Sequence, residues 1–159
     1  MNVAHFVGHG ALRIAAMGFE ARPAGSDDMK GMQRLLGEAM DAGAFGFSIR
    51  PRLRAERLLA MTAELIALAK SISSRGGYYF SHIRGESSML LDSINEAIRI
   101  GEEGGVGVQV SHVKASGTRE LAARSTRALR LHRRPRGRAA WTSSATSIPT
   151  TRAAPSSTT

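Results

Sequence analysis

The sequence predicts an α/β fold in which parallel strands alternate with covering helices. Two short apolar runs, Tyr78–His82 and Val106–His112, have the length of strands, and a helix-patterned segment separates them. Each run ends in a histidine, His82 or His112. The carboxyl ends of parallel strands meet at one edge of a sheet, so we expect both imidazoles where α/β proteins carry their chemistry.

The elements before this unit continue the alternation. Asn2–Gly8 is predicted to be a buried strand that enters a loop at Gly8–Gly10, and Leu12–Met17 is predicted to be a short helical turn. Ser26–Asp28 supplies an N-cap and an acidic first turn for the next helix. That helix places apolar residues on one face, namely Met29, Met32, Leu36, Ala39 and Met40.

Ala44–Ser48 is the following predicted strand, and two further helices complete the pattern. Thr62 caps a helix that ends at Gly76-Gly77, and its apolar face comprises Leu65, Leu68, Ala69 and Ile72. The next helix ends at Gly104-Gly105 and carries Leu90, Ile94, Ala97 and Ile98. The order β-α-β-α-β-α-β argues for one parallel sheet with covering helices. At 159 residues the chain is short for the roughly 250 residues of a complete eight-stranded barrel, so a barrel would be present only in part.

The net charge of +9 is concentrated at the C-terminus. From Gly117 onward the chain has nine arginines and a single acidic residue, Glu120, so the first 116 residues are close to neutral. Residues 117–159 contain mainly Arg, Ala, Ser, Thr and Pro, which predicts a disordered tail after a globular region of residues 1–116. Residues 119–138 could contact nucleic-acid phosphates, but they lack regular aromatic residues for base stacking, so disorder is the preferred interpretation.

The two histidines are the strongest candidates for a functional site. His82 and His112 lie about one βα unit apart, and neutral imidazole is a common ligand of zinc and similar metals. Each could instead finish its strand as a polar residue satisfied by a backbone carbonyl. Lys114 lies two residues past His112 and, in a continuing strand, could bind a substrate anion on the same side. A solvated side chain is the alternative for Lys114, and also for Arg84 and Glu86 after His82.

Other features give weaker signals or exclusions. His5 is predicted to be a satisfied core or interface histidine, and Gly8-His9-Gly10 does not match a phosphate-binding loop. The absence of cysteine excludes disulfides and a thiolate metal site. No apolar stretch reaches the roughly 20 residues of a membrane span, and the N-terminus lacks a signal-peptide pattern. We therefore expect a cytoplasmic protein with no membrane partner.

Four sequence motifs occur in an order typical of one enzyme family. They are Asn2–Arg13, Ala42–Ser48, Phe80–Glu86 and Val110–Lys114. Together they resemble the N-acyl-D-amino-acid deacylases, or D-aminoacylases, of the amidohydrolase superfamily, over roughly residues 1–116 apart from 49–61. The resemblance implies a metal-dependent (β/α)8 barrel with a small β-domain, of which this chain would be an internal fragment with about strands three to six. It also implies hydrolysis of small-molecule N-acyl-D-amino acids to a carboxylate and a D-amino acid.

The same resemblance assigns residues to the site. His82 and His112 match metal-binding histidines at the ends of the fifth and sixth barrel strands, with zinc as the implied ion in a number left open. Lys114 matches a lysine that holds the substrate carboxylate. The general-base aspartate, the His-x-His of the first strand and the cysteine ligand of the second have no counterpart in this chain. We therefore expect no catalytic residue here, an inactive isolated chain, and an open sheet that promotes non-specific self-association.

Two segments depart from the family pattern. Ile49–Leu53 stands where the family has Thr-Gly-Leu, and a single inserted nucleotide could account for the change. Thr146–Thr150 can be encoded so that another reading frame gives Asp-Gln-Tyr-Pro-Tyr, which is a family motif. We therefore predict that residues 49–61 and the tail from about Gly117 are frame-shifted translation.

Two other functions stay open at this point. Another amidohydrolase, such as a dihydropyrimidinase-like or dihydroorotase-like enzyme, would share the two histidines, although the Gly-His-Gly and Ser-His-x-Lys strings weigh against it. A basic module that binds nucleic acid through residues 119–138 would show salt-dependent binding without metal dependence.

Overall fold

Four short parallel strands form a single sheet in the order in which they occur along the chain. The computed structural model describes residues 1–49, 62–85 and 89–111. The strands are β1 (Val7–Gly8), β2 (Gly46–Ile49), β3 (Tyr78–Ser81) and β4 (Gly107–Val110). The helices are α1 (His9–Met17), α2 (Ser26–Asp41), α3 (Thr62–Ile72, followed by a 3-10 turn at Ser73–Arg75) and α4 (Leu90–Gly104). The predicted parallel α/β architecture is confirmed.

The carboxyl ends of three neighbouring strands lie level with one another. Backbone pairing continues one residue beyond β3, where the amide of His82 donates to the carbonyl of Ile49 at 3.0 Å. It also continues beyond β4, where the amide of Ser111 donates to the carbonyl of Ser81 at 2.8 Å. These bonds define one edge of the sheet, called here the carboxyl edge, on which the ends of β2, β3 and β4 meet.

One face of the sheet packs against the helices and forms the core. Phe47 of β2 and Tyr79 of β3 lie side by side, with ring centroids 5.1 Å apart. Most of the apolar helix residues predicted from the sequence pack with them, and the fully buried ones include Leu36, Leu65, Leu68, Ile72, Leu90 and Ile94. Burying a side chain of this size contributes about 1.5–3 kcal/mol, so this core holds the strands in register.

The N-terminal strand is shorter and more exposed than predicted. Residues 1–5 are exposed, and only Val7–Gly8 pairs with β2. His5 is therefore not a core histidine, although its carbonyl accepts a hydrogen bond from the amide of Phe45 at 2.8 Å. The reason is that β1 is an edge strand, which has β2 as its one partner among the described residues.

Several predicted boundaries shift by a few residues. α1 begins at His9, inside the predicted Gly8–Gly10 loop. The N-cap of α2 is Gly25 rather than Ser26, because the side chain of Asp28 accepts a hydrogen bond from the amide of Gly25 at 2.8 Å. β2 extends to Ile49, whose apolar side chain is buried. The predicted glycine ends of α3 and α4 are confirmed.

Candidate metal centre at the carboxyl edge of the sheet

His82 occupies the first position after β3 and is half-buried. Half-buried and buried residues alternate from Tyr78 to Ile83, which places His82 on the same face of the sheet as Tyr78 and Phe80. This face is opposite to the helix-packed core. A half-exposed imidazole at the carboxyl edge can be reached by an ion or a substrate, so its position fits a nitrogen ligand of a metal.

His112, the second predicted ligand, follows Ser111, which is the last described residue and comes directly after β4. Ser111 is hydrogen-bonded to Ser81, so the residues directly before His82 and His112 are neighbours across the sheet. His112, Lys114 and Glu86 themselves lie outside the described residues. Within residues 1–49, 62–85 and 89–111, no group of three or more His, Asp or Glu side chains could hold a metal ion. The described part of the site therefore supplies one candidate ligand.

The sequence left open that Arg84 is a solvated side chain, but the structure places it in a partly buried ion pair. Its Nε donates to both carboxylate oxygens of Glu96 on α4, at 2.9 and 2.7 Å, and both side chains are about four-fifths buried. The same Glu96 accepts a hydrogen bond from the hydroxyl of Thr62 at 2.7 Å. Thr62 is the first residue of α3, so one carboxylate connects the segment after His82 with two helices.

Buried polar groups surround the end of β3. The hydroxyl of Tyr79 donates to Ser81 at 3.3 Å, and burial raises the pKa of Tyr79 well above its usual value, which keeps the phenol protonated. A cavity of about 10 Å³ lies next to Ser81 and His82 and is also lined by Ser93 and Glu96. This volume is at the lower limit of what a single water molecule needs.

A second buried network was missed in the sequence. His9, which the sequence suggested only as part of a weak glycine motif, donates from Nε2 to Glu64 at 2.7 Å. Arg13 donates from Nη1 to both oxygens of the same carboxylate, at 2.8 and 2.7 Å. Burial alone would raise the pKa of Glu64, but the hydrogen bonds from His9 and Arg13 outweigh it and hold that pKa below its ordinary value. The signal available in the sequence was Glu64 itself, an acidic residue amid the apolar residues of α3.

Known proteins resemble this chain over most of its length. No protein-family model matches the sequence. The chain is 36% identical over 114 residues to an N-acyl-D-glutamate deacylase of Alcaligenes xylosoxydans xylosoxydans, a match that covers 72% of this chain and 23% of that protein. It is 37% identical over 123 residues to an N-acyl-D-aspartate deacylase of the same organism, covering 75% of this chain and 24% of that protein. The chain thus spans about a quarter of the length of these curated relatives.

Solved structures agree with the sequence relatives. An N-acyl-D-glutamate deacylase from Bordetella bronchiseptica, complexed with zinc and a phosphonate mimic of the tetrahedral intermediate, is 33% identical with a TM-score of 0.68. That match covers 82% of this chain and 29% of the other. A D-aminoacylase that defines a subset of amidohydrolases is 29% identical with a TM-score of 0.74, and the match covers 93% of this chain and 30% of the other.

The level parallel strands with a histidine at their carboxyl edge define a segment of an amidohydrolase-type α/β barrel. Within that class, the chain shares its sequence and fold with the N-acyl-D-amino-acid deacylases, which confirms the resemblance predicted from the four motifs. The alternative amidohydrolases and the nucleic-acid-binding module are not favoured by these comparisons. Residues 119–138, on which the nucleic-acid prediction depends, lie outside the described residues. None of the described helices is both long and apolar enough to cross a membrane.

Proposed function

We propose that this chain supplies part of the metal centre of an N-acyl-D-amino-acid deacylase. The whole protein would hydrolyse the amide bond of an N-acyl-D-amino acid to a carboxylate and a free D-amino acid. The observation that carries the proposal is the position of His82, half-exposed at the carboxyl edge, in a chain 33% identical to a deacylase complexed with zinc. The strand leading to His112 ends beside it.

His82 and His112 would hold a zinc ion through their ring nitrogens. When bound, the ion supplies an activated water and a Lewis acid for the amide carbonyl. Ligands from outside the described residues must complete such a site, because two imidazoles cannot hold a catalytic zinc by themselves. The general base would likewise come from an aspartate outside this chain.

Lys114 would bind the carboxylate of the D-amino acid part of the substrate. Its ammonium group is a compact charge on a flexible stem, which suits it to orient an anion near the metal without fixing one geometry. Such orientation contributes to the rate by placing the scissile amide against the attacking water. In this proposal residues 1–116 form the barrel segment and residues 117–159 a separate tail, and the cytoplasmic location stays a prediction.

A chimera tests the proposal directly. Residues 62–116 replace the segment that they match in the N-acyl-D-glutamate deacylase, and release of D-glutamate from an N-acyl-D-glutamate is measured with zinc present. We expect activity that His82→Ala reduces by more than about 100-fold, because loss of a ligand should cost more than the roughly 10–100-fold that loss of a supporting residue costs. Glu103→Gln, on the exposed face of α4, serves as the matched control and should leave activity unchanged. An active chimera that tolerates His82→Ala would refute the proposed ligand.

A further inference from the structure

We propose that Glu96 and Arg84 are positioning residues that hold the segment after β3 so that His82 can bind a metal. The inference rests on the proposed function, because it takes His82 to be a metal ligand. Neither residue is expected to contact the metal or the substrate. Arg84 would act on His82 through the backbone between them, and Glu96 would act through its ion pair with Arg84.

The geometry gives Arg84 and Glu96 this position. Arg84 lies two residues after His82, and the residue between them, Ile83, is 2% exposed and packs in the core. The backbone of His82 is fixed at its amide by the carbonyl of Ile49, while Arg84 is fixed by the two contacts with Glu96. The segment is thus held at His82, at Ile83 and at Arg84, and Glu96 supplies the third of these attachments.

The ion pair of Arg84 and Glu96 also borders the cavity that touches His82. Arg84, Ser93 and Glu96 line the internal cavity of about 10 Å³ that touches His82. The same three residues line a surface cleft of about 350 Å³ that also includes Asp92 and Arg99. Arg84 and Glu96 therefore border both the cavity that touches His82 and that cleft. Loss of either charge would remove this partly buried ion pair, which favours rearrangement of the segment.

The network extends from Glu96 to the first turn of α3. Thr62 bonds to Glu96, and Glu64, two residues further along the same turn, accepts hydrogen bonds from His9 and Arg13 of α1. The start of α3 is consequently connected to α1 on one side and to α4 on the other. The position of the His82 segment is set by this pair of networks as well as by the sheet.

Zinc binding by the chimera that carries residues 62–116, in their wild-type sequence or with single substitutions, tests the inference. Isothermal titration with Zn²⁺ gives the dissociation constant, and urea unfolding gives the stability of each variant. We expect Glu96→Gln to weaken zinc binding about tenfold, the lower end of the range for residues that support metal ligands. Arg84→Gln should have the same effect, and the double variant should lose no more than either single one, because both remove the same interaction.

The matched control is Glu103→Gln, which removes an exposed ion pair with Arg99 on the same helix and should leave the dissociation constant unchanged. If Glu96→Gln does not fold, Thr62→Val removes one hydrogen bond to the same carboxylate and should weaken zinc binding measurably, but by less than the roughly tenfold expected for Glu96→Gln. In Glu96→Gln or Thr62→Val, the zinc affinity could stay that of the wild type, or fall only in proportion to the unfolded fraction. Either result overturns the positioning inference alone. Absence of zinc binding by the wild-type chimera overturns the proposed metal centre, and the positioning inference with it.

Discussion

Replacing Glu64 with glutamine tests how strongly the buried network at the start of α3 stabilises the fold. Glu64 is 7% exposed, and its carboxylate accepts hydrogen bonds from His9 and from Nη1 of Arg13. Glutamine has the same shape but one accepting oxygen, and its amide group is a donor. In Glu64→Gln a donor therefore faces His9 or Arg13, and the guanidinium loses its buried counter-charge.

The expected loss of stability is about 3 kcal/mol. Removing one partner of a buried ion pair costs roughly 3–5 kcal/mol, because the remaining charge is left without compensation. Arg13 keeps a hydrogen bond from Nη2 to the carbonyl of Arg22 at 2.6 Å, and its side chain is 11% exposed, so the lower end of the range applies. Domains of this size are stable by about 5–15 kcal/mol, so the change is a large part of the total.

Urea unfolding followed by far-UV circular dichroism measures this difference. Glu103→Gln is the control, because its ion pair with Arg99 lies on the surface and should contribute nothing measurable. A loss below about 1 kcal/mol for Glu64→Gln would show that the network is not a buried ion pair, since that is the scale of a solvent-exposed pair. It would mean that water reaches the network and screens it.

The pH dependence gives a second readout for the same variant. The pKa of Glu64 in the folded protein lies below its ordinary value of 4.5, so the unfolded chain binds the proton more readily. The stabilisation by Glu64 is therefore fully present above about pH 4.5 and is lost as the pH falls through the lower folded-state pKa. The stability difference between wild type and Glu64→Gln should be constant near neutral pH and shrink in acid. A difference that grows in acid would contradict this sign.

Three further predictions concern packing, an unsatisfied hydroxyl and the reading frame. Gly104→Ala should destabilise the protein by about 1–2 kcal/mol in urea unfolding, because its Cβ would lie 2.4 Å from that of Ala69. Gly37→Ala in α2, whose Cβ would lie 3.6 Å from its nearest neighbour, should stabilise it by about 0.5–1 kcal/mol. Equal effects of the two substitutions would contradict the close approach of α4 to α3. Ser93→Ala should stabilise by about 1 kcal/mol, since the buried hydroxyl has no hydrogen-bond partner among the described residues, and a clear loss of stability would show that it has one. The gene, when sequenced, should restore Thr-Gly-Leu within residues 49–61 and Asp-Gln-Tyr-Pro-Tyr in the tail when read in another frame; failure to do so ends the frame-shift hypothesis.

The strands and helices that carry the site were predictable because their patterns are local. The apolar runs of β3 and β4 and the spacing of Leu90, Ile94, Ala97 and Ile98 in α4 depend on each element burying one face. The same is true of the glycines that end α3 and α4, because a left-handed cap needs no distant partner. The level alignment of the strand ends followed from the parallel βα order.

The ion networks could not be predicted because their partners are far apart in the sequence. Glu64 meets His9 at a separation of 55 residues, and Glu96 meets Thr62 at a separation of 34. No periodic pattern marks such pairs, and each residue alone resembles a solvated charge. His5 was misassigned for a related reason: its apolar neighbours suggested a buried strand, but burial depends on a second neighbouring strand that β1 does not have among the described residues.

Zinc titration of the chimera that carries residues 62–116 shows whether His82 is a metal ligand. His82→Ala should weaken zinc binding by at least about tenfold. Glu103→Gln is the matched control, because Glu103 lies in an exposed ion pair with Arg99 on α4, and this variant should bind zinc as the wild-type chimera does. Equal zinc affinity of His82→Ala and Glu103→Gln would show that His82 is not a ligand.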